Sequence, residues 1–140
     1  KCKLIWENRE IVIFEGVNTR FGLGNDLFDN AVSIKRVLCP SKGAFEKYNE
    51  IIAKAKEFDK SSLLIFALGA TATVLASEIT NEGYQAIDIG NLDVEYEWFK
   101  RGVTRKIILE NKQVSEVSGG TKVVEILDKK YLSEIVCKIL

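Results

Sequence analysis

Histidine is absent from the 140 residues. That removes Ser-His-Asp and Cys-His nucleophile systems and every zinc site that needs an imidazole. Acid–base chemistry must come from carboxylates, lysine, tyrosine or a metal-bound water. Cysteine is scarce: Cys2, Cys39 and Cys137 are odd in number and share no CxxC spacing. Zinc ribbons and thioredoxin-like motifs are thereby disfavoured, and reduced thiols of a cytoplasmic protein are expected. Net charge is zero, with 20 basic and 20 acidic side chains. No basic stripe points to nucleic acid, and no polybasic segment points to a membrane surface. No apolar run is long enough to span a bilayer, and the first residues given do not read as a signal peptide. The first residue is Lys1 rather than Met, so a fragment of a longer polypeptide is expected.

What is present describes one folded domain. Apolar residues make up 46%, enough for a core at this length. Glu10–Phe14 (EIVIF), Ile34–Cys39 (IKRVLC), Leu63–Leu68 (LLIFAL) and Gln85–Ile89 are short apolar runs rich in β-branched residues, which predicts buried strands. The only proline, Pro40, stops the second run. Between the runs, Ala44–Phe58 and Thr71–Thr80 have helical spacing, and a third helix is expected from Asp93 to Lys100. Asn25 or Asp26 is a suitable cap for a short helix to Ala31. Arg105–Leu109 (RKIIL) is a candidate fifth strand, and Glu110–Thr121 reads as loop. Val123–Leu127 is ambiguous. Lys129–Leu140 reads as an amphipathic helix with Leu132, Ile135, Val136 and Ile139 on one side. Strands alternating with helices imply a Rossmann-like, doubly wound α/β fold. Its sheet would be mainly parallel, with helices on both faces. No internal repeat or interdomain linker divides residues 1–140.

Three stretches can carry chemistry. Tyr84–Phe99 follows a strand, turns at Gly90-Asn91 and delivers Asp88, Asp93, Glu95 and Glu97. Acids after a strand lie where open α/β sheets bind ligands, and close carboxylates suit Mg²⁺ or Mn²⁺. The simpler reading leads on residue types alone: Asp93 as a helix cap, Glu95 and Glu97 in a favourable first turn. Glu15–Asn25 holds Gly16, Gly22 and Gly24 before Asp26. Its backbone amides can face an anion, and Arg20 can pair with phosphate. The dinucleotide fingerprint is broken, because Leu27 stands where its third glycine belongs; a plain surface turn fits as well. Gly69-Ala70-Thr71-Ala72-Thr73 is a second strand-to-helix turn, in which Gly69 and Thr71 can line a cleft.

Three of these segments together carry a resemblance: EGVNTRFGLGNDLFDNAVSIKRVLCPSKGAF, ALGATATVLA and GYQAIDIGNLDVEYEWF. From about Trp6 to Phe99 the chain resembles the carboxyl-terminal half of the GT-D-type glycosyltransferase domain. That family occurs in bacterial clusters that glycosylate surface adhesins and in polysaccharide loci. The resemblance implies a Rossmann-like fold and hexose transfer from a UDP-sugar to a glycan or glycoprotein. It places the family's Asp-x-Glu metal motif on Asp93-Val94-Glu95, as ligands for Mn²⁺ or Mg²⁺ and as catalytic residues. With that reading, nucleotide-sugar contacts are expected from Glu15, Arg20, Gly22, Gly24, Asn25, Asp26, Gly69, Thr71, Asp88 and Gly90. Glu15, Asp88 and Glu97 are the carboxylates weighed as proton acceptor. Asn91 stands where the family is expected to have histidine, and Ala70 where it is expected to have proline. The family's upstream Ser-Arg-Phe-Gly-Asp-Gly-Glu run has no counterpart here. The expectation is therefore a carboxyl-terminal part of a longer domain, paired with an amino-terminal segment or a second copy. The alternative is a non-catalytic nucleotide-sugar-binding or assembly module.

Overall fold

The structure, a computed structural model, describes residues 1–140. Five strands form one parallel sheet: β1 (Glu10–Gly16), β2 (Ser33–Cys39), β3 (Leu63–Ala67), β4 (Gln85–Asp88) and β5 (Ile135–Lys138). Their order is β4-β3-β1-β2-β5. Ile11 pairs with Ile34 on one side and with Leu63 on the other, so β1 is central. Its apolar run is continuous because both faces are covered.

One face buries Val12, Phe14, Val37, Leu64 and Phe66 beneath α1 (Tyr48–Ala55) and α2 (Ala70–Asn81). Phe14 and Phe66 stack at 4.8 Å between ring centroids. The other face buries Ile11, Ile13, Leu63 and Ile65 under Trp6, Phe21, Leu27 and Phe28. Leu92 and Tyr96 of α3 (Leu92–Arg101) pack on the same cluster. Helices thus cover both faces, as expected. All three cysteines are free, and burial pushes the Cys39 thiol up to about 12. No helix is long and apolar enough to cross a membrane.

Three expectations are corrected. Residues 26–31 form successive turns rather than a helix. There the Asn25 side chain accepts from the Leu27 amide, closing a local turn that competes with helix. Arg105–Leu109 is irregular. Its Leu109 packs with Val94, Trp98 and Val114 in a small separate cluster instead of joining the sheet. The last twelve residues split. α4 (Lys129–Glu134) is capped by Asp128, which accepts from the Tyr131 amide at 2.8 Å, and the backbone is extended by Ile135. The chain then pairs with β2 as β5. Cys137 and Ile139 face the core while Val136 and Lys138 face out, a period of two that underlies the helical pattern.

Candidate functional site

β1 lies between the strands that precede and follow the crossover. The chain runs from β1 to β2 on one side, then to β3 on the other. Open sheets bind ligands at such a reversal, outside the carboxyl ends of the strands. A cleft of about 550 Å³ occupies that position. Its walls are the end of β1 (Gly16), the segment after β2 (Pro40–Ala44), the end of β3 with the turn after it (Ala67–Gly69), the starts of α2 and α3, and Gln113, Ser115 and Glu116.

Gly69 makes the turn from β3 into α2 at φ 56 and ψ −143, a backbone region that glycine adopts. A β-carbon there would meet nothing within 4 Å, so the turn opens directly onto the cleft. No side chain caps α2. Amides of its first turn lack helical partners and carry the positive end of the dipole. Lys42 is the one basic side chain in the lining. Gly16 is needed for close approach, because a β-carbon would lie 2.9 Å from Thr19 Oγ1 and 3.1 Å from Ser41 Cα.

Four of the twelve residues expected at the site line this cleft: Gly69, Thr71, Gly90 and Asp93. The other eight are placed elsewhere. Glu15 is fully buried; it accepts from Arg36 Nη1 at 2.8 Å, Tyr131 Oη at 2.9 Å and the Phe21 amide at 2.5 Å. Burial raises its carboxyl above the usual range, against the lowering effect of the Arg36 charge. Arg20 is buried and donates to the carbonyls of Asn111 and Val124. Gly22, Gly24 and Asn25 line a separate hollow of about 210 Å³. Asp26 binds Lys3 at 2.7 Å and accepts from Tyr96. Asp88 accepts from Thr73 and the Gly90 amide. Glu95 is exposed and lines a shallow depression with Trp98 and Phe99.

Asp93 and Glu95 are two residues apart on α3, so their side chains leave the helix roughly 200° apart. Asp93 is 1% exposed and Glu95 lies on the open side. Both Asp93 oxygens are engaged: Oδ1 by Asn25 Nδ2 and Oδ2 by Lys112 Nζ, each at 2.7 Å. Burial raises the Asp93 carboxyl, and the Lys112 ammonium opposes that rise. No group of three or more potential metal ligands converges anywhere. As placed, Asp93 and Glu95 do not form a chelating pair, and an ammonium already stands where a cation would bind Asp93. Among the three carboxylates weighed as proton acceptor, none lines the cleft; Glu97 is buried behind Asp93 on Asn25 and Lys112.

Sequence reasoning missed Lys112, Arg36, Tyr131 and Lys42. Arg36 was findable: on β2 it shares a face with Ile34, and it neighbours Ile13 two residues before Glu15. A charge there on an inward position needs a partner. Lys112 carries no such signal, because its segment has no periodicity.

Comparison with known proteins agrees with this fold. The profile of the glycosyltransferase GT-D fold family matches residues 1–117. Glycosyltransferase GlyD of Streptococcus pneumoniae is 42% identical over 140 residues, which are 100% of this chain and 17% of that protein. A probable glycosyl transferase, Gly, of Streptococcus gordonii is 41% identical over 139 residues, 99% of this chain and 20% of that protein. A solved structure described as a new glycosyltransferase from Streptococcus sanguinis superposes with a TM-score of 0.94 at 40% identity. It matches over 99% of this chain and 52% of its own. The chain therefore spans about half the length of that solved chain and about a fifth of the curated relatives. With the cleft at the strand reversal and a family match over most of its length, the chain belongs to the glycosyltransferase GT-D fold family.

Proposed function

We propose that this chain provides one side of a nucleotide-sugar cleft in a glycosyltransferase that moves a hexose from a UDP-sugar to a glycan or glycoprotein hydroxyl. The observation that carries this reading is the uncapped first turn of α2, opening through Gly69 onto the cleft beside Lys42. Free amides, the helix dipole and one ammonium are the chemistry a diphosphate needs. In the transfer, the bond between the anomeric carbon and the diphosphate oxygen breaks. A bond to the acceptor oxygen forms, the acceptor proton passes to a base, and UDP leaves. A site that stabilises the departing diphosphate lowers the barrier to that step.

Dependence on Mn²⁺ or Mg²⁺ belongs to the same proposal, but not through Asp93 and Glu95 as a pair. Their placement supports no step through a metal.

The test is an NMR titration of the chain with UDP and with uridine. UDP should shift the amides of Gly69–Ala72, uridine should leave them largely unmoved, and Lys42→Ala should weaken UDP. Equal shifts with both ligands, or none with UDP, would refute the reading. Repeating the titration with Mn²⁺ measures how much of UDP binding is cation-dependent.

A second reading rests on length. The solved relative is about twice as long as this chain, so these residues would bind donor and leave turnover to an assembled domain. UDP-sugar turnover by the chain alone, equal to that of a polypeptide extended upstream, would exclude it.

A further inference from the structure

Residues 103–127 contain no helix or strand, yet their centre is fixed in place. Lys112 is fully buried, with Nζ 2.7 Å from Asp93 Oδ2 and 3.3 Å from Glu97 Oε1. An ammonium is tolerated inside a protein only when paired in this way. Leu109 and Val114 are buried on either side of it against Val94 and Trp98. The Gln113 amide donates to the Asn18 carbonyl at 2.9 Å, and the Val114 amide to the Gly120 carbonyl at 2.7 Å. A β-carbon on Gly120 would lie 2.3 Å from the Val114 oxygen, so that turn tolerates only glycine.

This strap places Gln113, Ser115 and Glu116 in the lining of the cleft. The wall they form contains no cation to neutralise a diphosphate, and its Glu116 carboxylate would repel one. It does offer neutral amide and hydroxyl groups and one carboxylate, which suit sugar hydroxyls. The Gln113 amide is already oriented, with Nε2 3.2 Å from Ser115 Oγ. Building on the donor reading above, we infer that the strap Leu109–Gly120 is the wall that receives the donor's hexose ring. Gln113 and Ser115 hydrogen-bond its hydroxyls. Lys112 is a positioning residue that fixes the wall and does not itself touch the sugar.

The experiment compares UDP with UDP-glucose and UDP-galactose by NMR titration of the chain. In Gln113→Ala/Ser115→Ala the UDP-hexose dissociation constant should rise about 5- to 10-fold, the loss expected for one or two hydrogen bonds. The UDP constant should stay within about twofold. Gly120→Ala displaces the wall without removing a polar group and should act in the same direction, as should Lys112→Met. Equal weakening of UDP and UDP-hexose would overturn the inference, because the strap would then serve the nucleotide or the fold. Unchanged UDP-hexose binding in the double variant would overturn it too. A Lys112→Met chain that keeps its full hexose preference would remove Lys112 from the device. Failure of the unaltered chain to bind UDP at all would sink the donor reading, and this inference with it.

Discussion

Two buried ion networks hold this molecule, and they differ in what they seal. The first joins Glu15, Arg36, Tyr131 and Glu134. Arg36 donates to Glu15, to Glu134 at 2.7 Å and to the Phe21 carbonyl, and its guanidinium lies 4.4 Å from the Tyr131 ring centroid. It ties β1 and β2 to α4, and none of its charged members lines the main cleft. The second joins Asn25, Asp93, Glu97 and Lys112, with Arg101 at its rim. It ties the glycine loop and α3 to an irregular strap, and Asp93 reaches the cleft. A buried charge pair is weak evidence for stability, whereas breaking one by removing a single partner is costly. The contrast is therefore between a network that holds the sheet to its last helix and one that shapes a binding wall.

The largest expected effect comes from Arg36→Met. It leaves Glu15 buried at the centre of the sheet without its counter-ion, and should cost about 3–5 kcal/mol of global stability. Urea unfolding measures it, and a loss under about 1 kcal/mol would show that the network does not hold the sheet together. Lys112→Met should cost less, about 2–3 kcal/mol, because a peripheral strap can open and rehydrate its carboxylates. Hydrogen exchange should quicken at Val114 and Gly120 while β1 and β3 stay protected. Uniform deprotection would make the two networks equivalent and erase the contrast.

The smallest effect sharpens the comparison from outside both networks. Asp26 is held well below the ordinary carboxylate range, first by the hydrogen bond from Lys3 and then by that from Tyr96. A depressed carboxyl contributes stability that is fully present above its unfolded value of 3.8 and is lost as pH falls toward the folded one. The stability gap between the protein and Asp26→Asn should therefore narrow as pH falls below about 4. A gap constant down to pH 2 would show that the Lys3 tie contributes nothing. Because the pair is half in water, salt should shrink the gap as well.

Local pattern carried most of the sheet. β1 to β4 and α1 to α3 occur where apolar runs and helical spacing place them, because each element buries its own side chains on a neighbour next in sequence. Sequence patterning also located the turn at Gly69 and the approach of Asp93 to the carboxyl edge. It failed at the local turn over residues 26–31 and, more often, where partners are distant in the chain. β5 is a strand because β2 offers an open edge to Ile135–Lys138; by itself the stretch satisfies a helical and an alternating pattern alike. Glu15, read as a ligand contact, is consumed by Arg36 and Tyr131, which stand 21 and 116 residues away. Glu95 turns outward because helix geometry separates it from Asp93. Lys112 had no periodic pattern to declare it, and only packing on α3 made it the counter-ion of Asp93. The chain by itself determined β1 to β4 and α1 to α3, since those follow from neighbouring residues. Which charges are buried together, and so which residues the cleft keeps, only the tertiary structure decided, because a buried charge takes whatever partner the fold brings within about 3 Å.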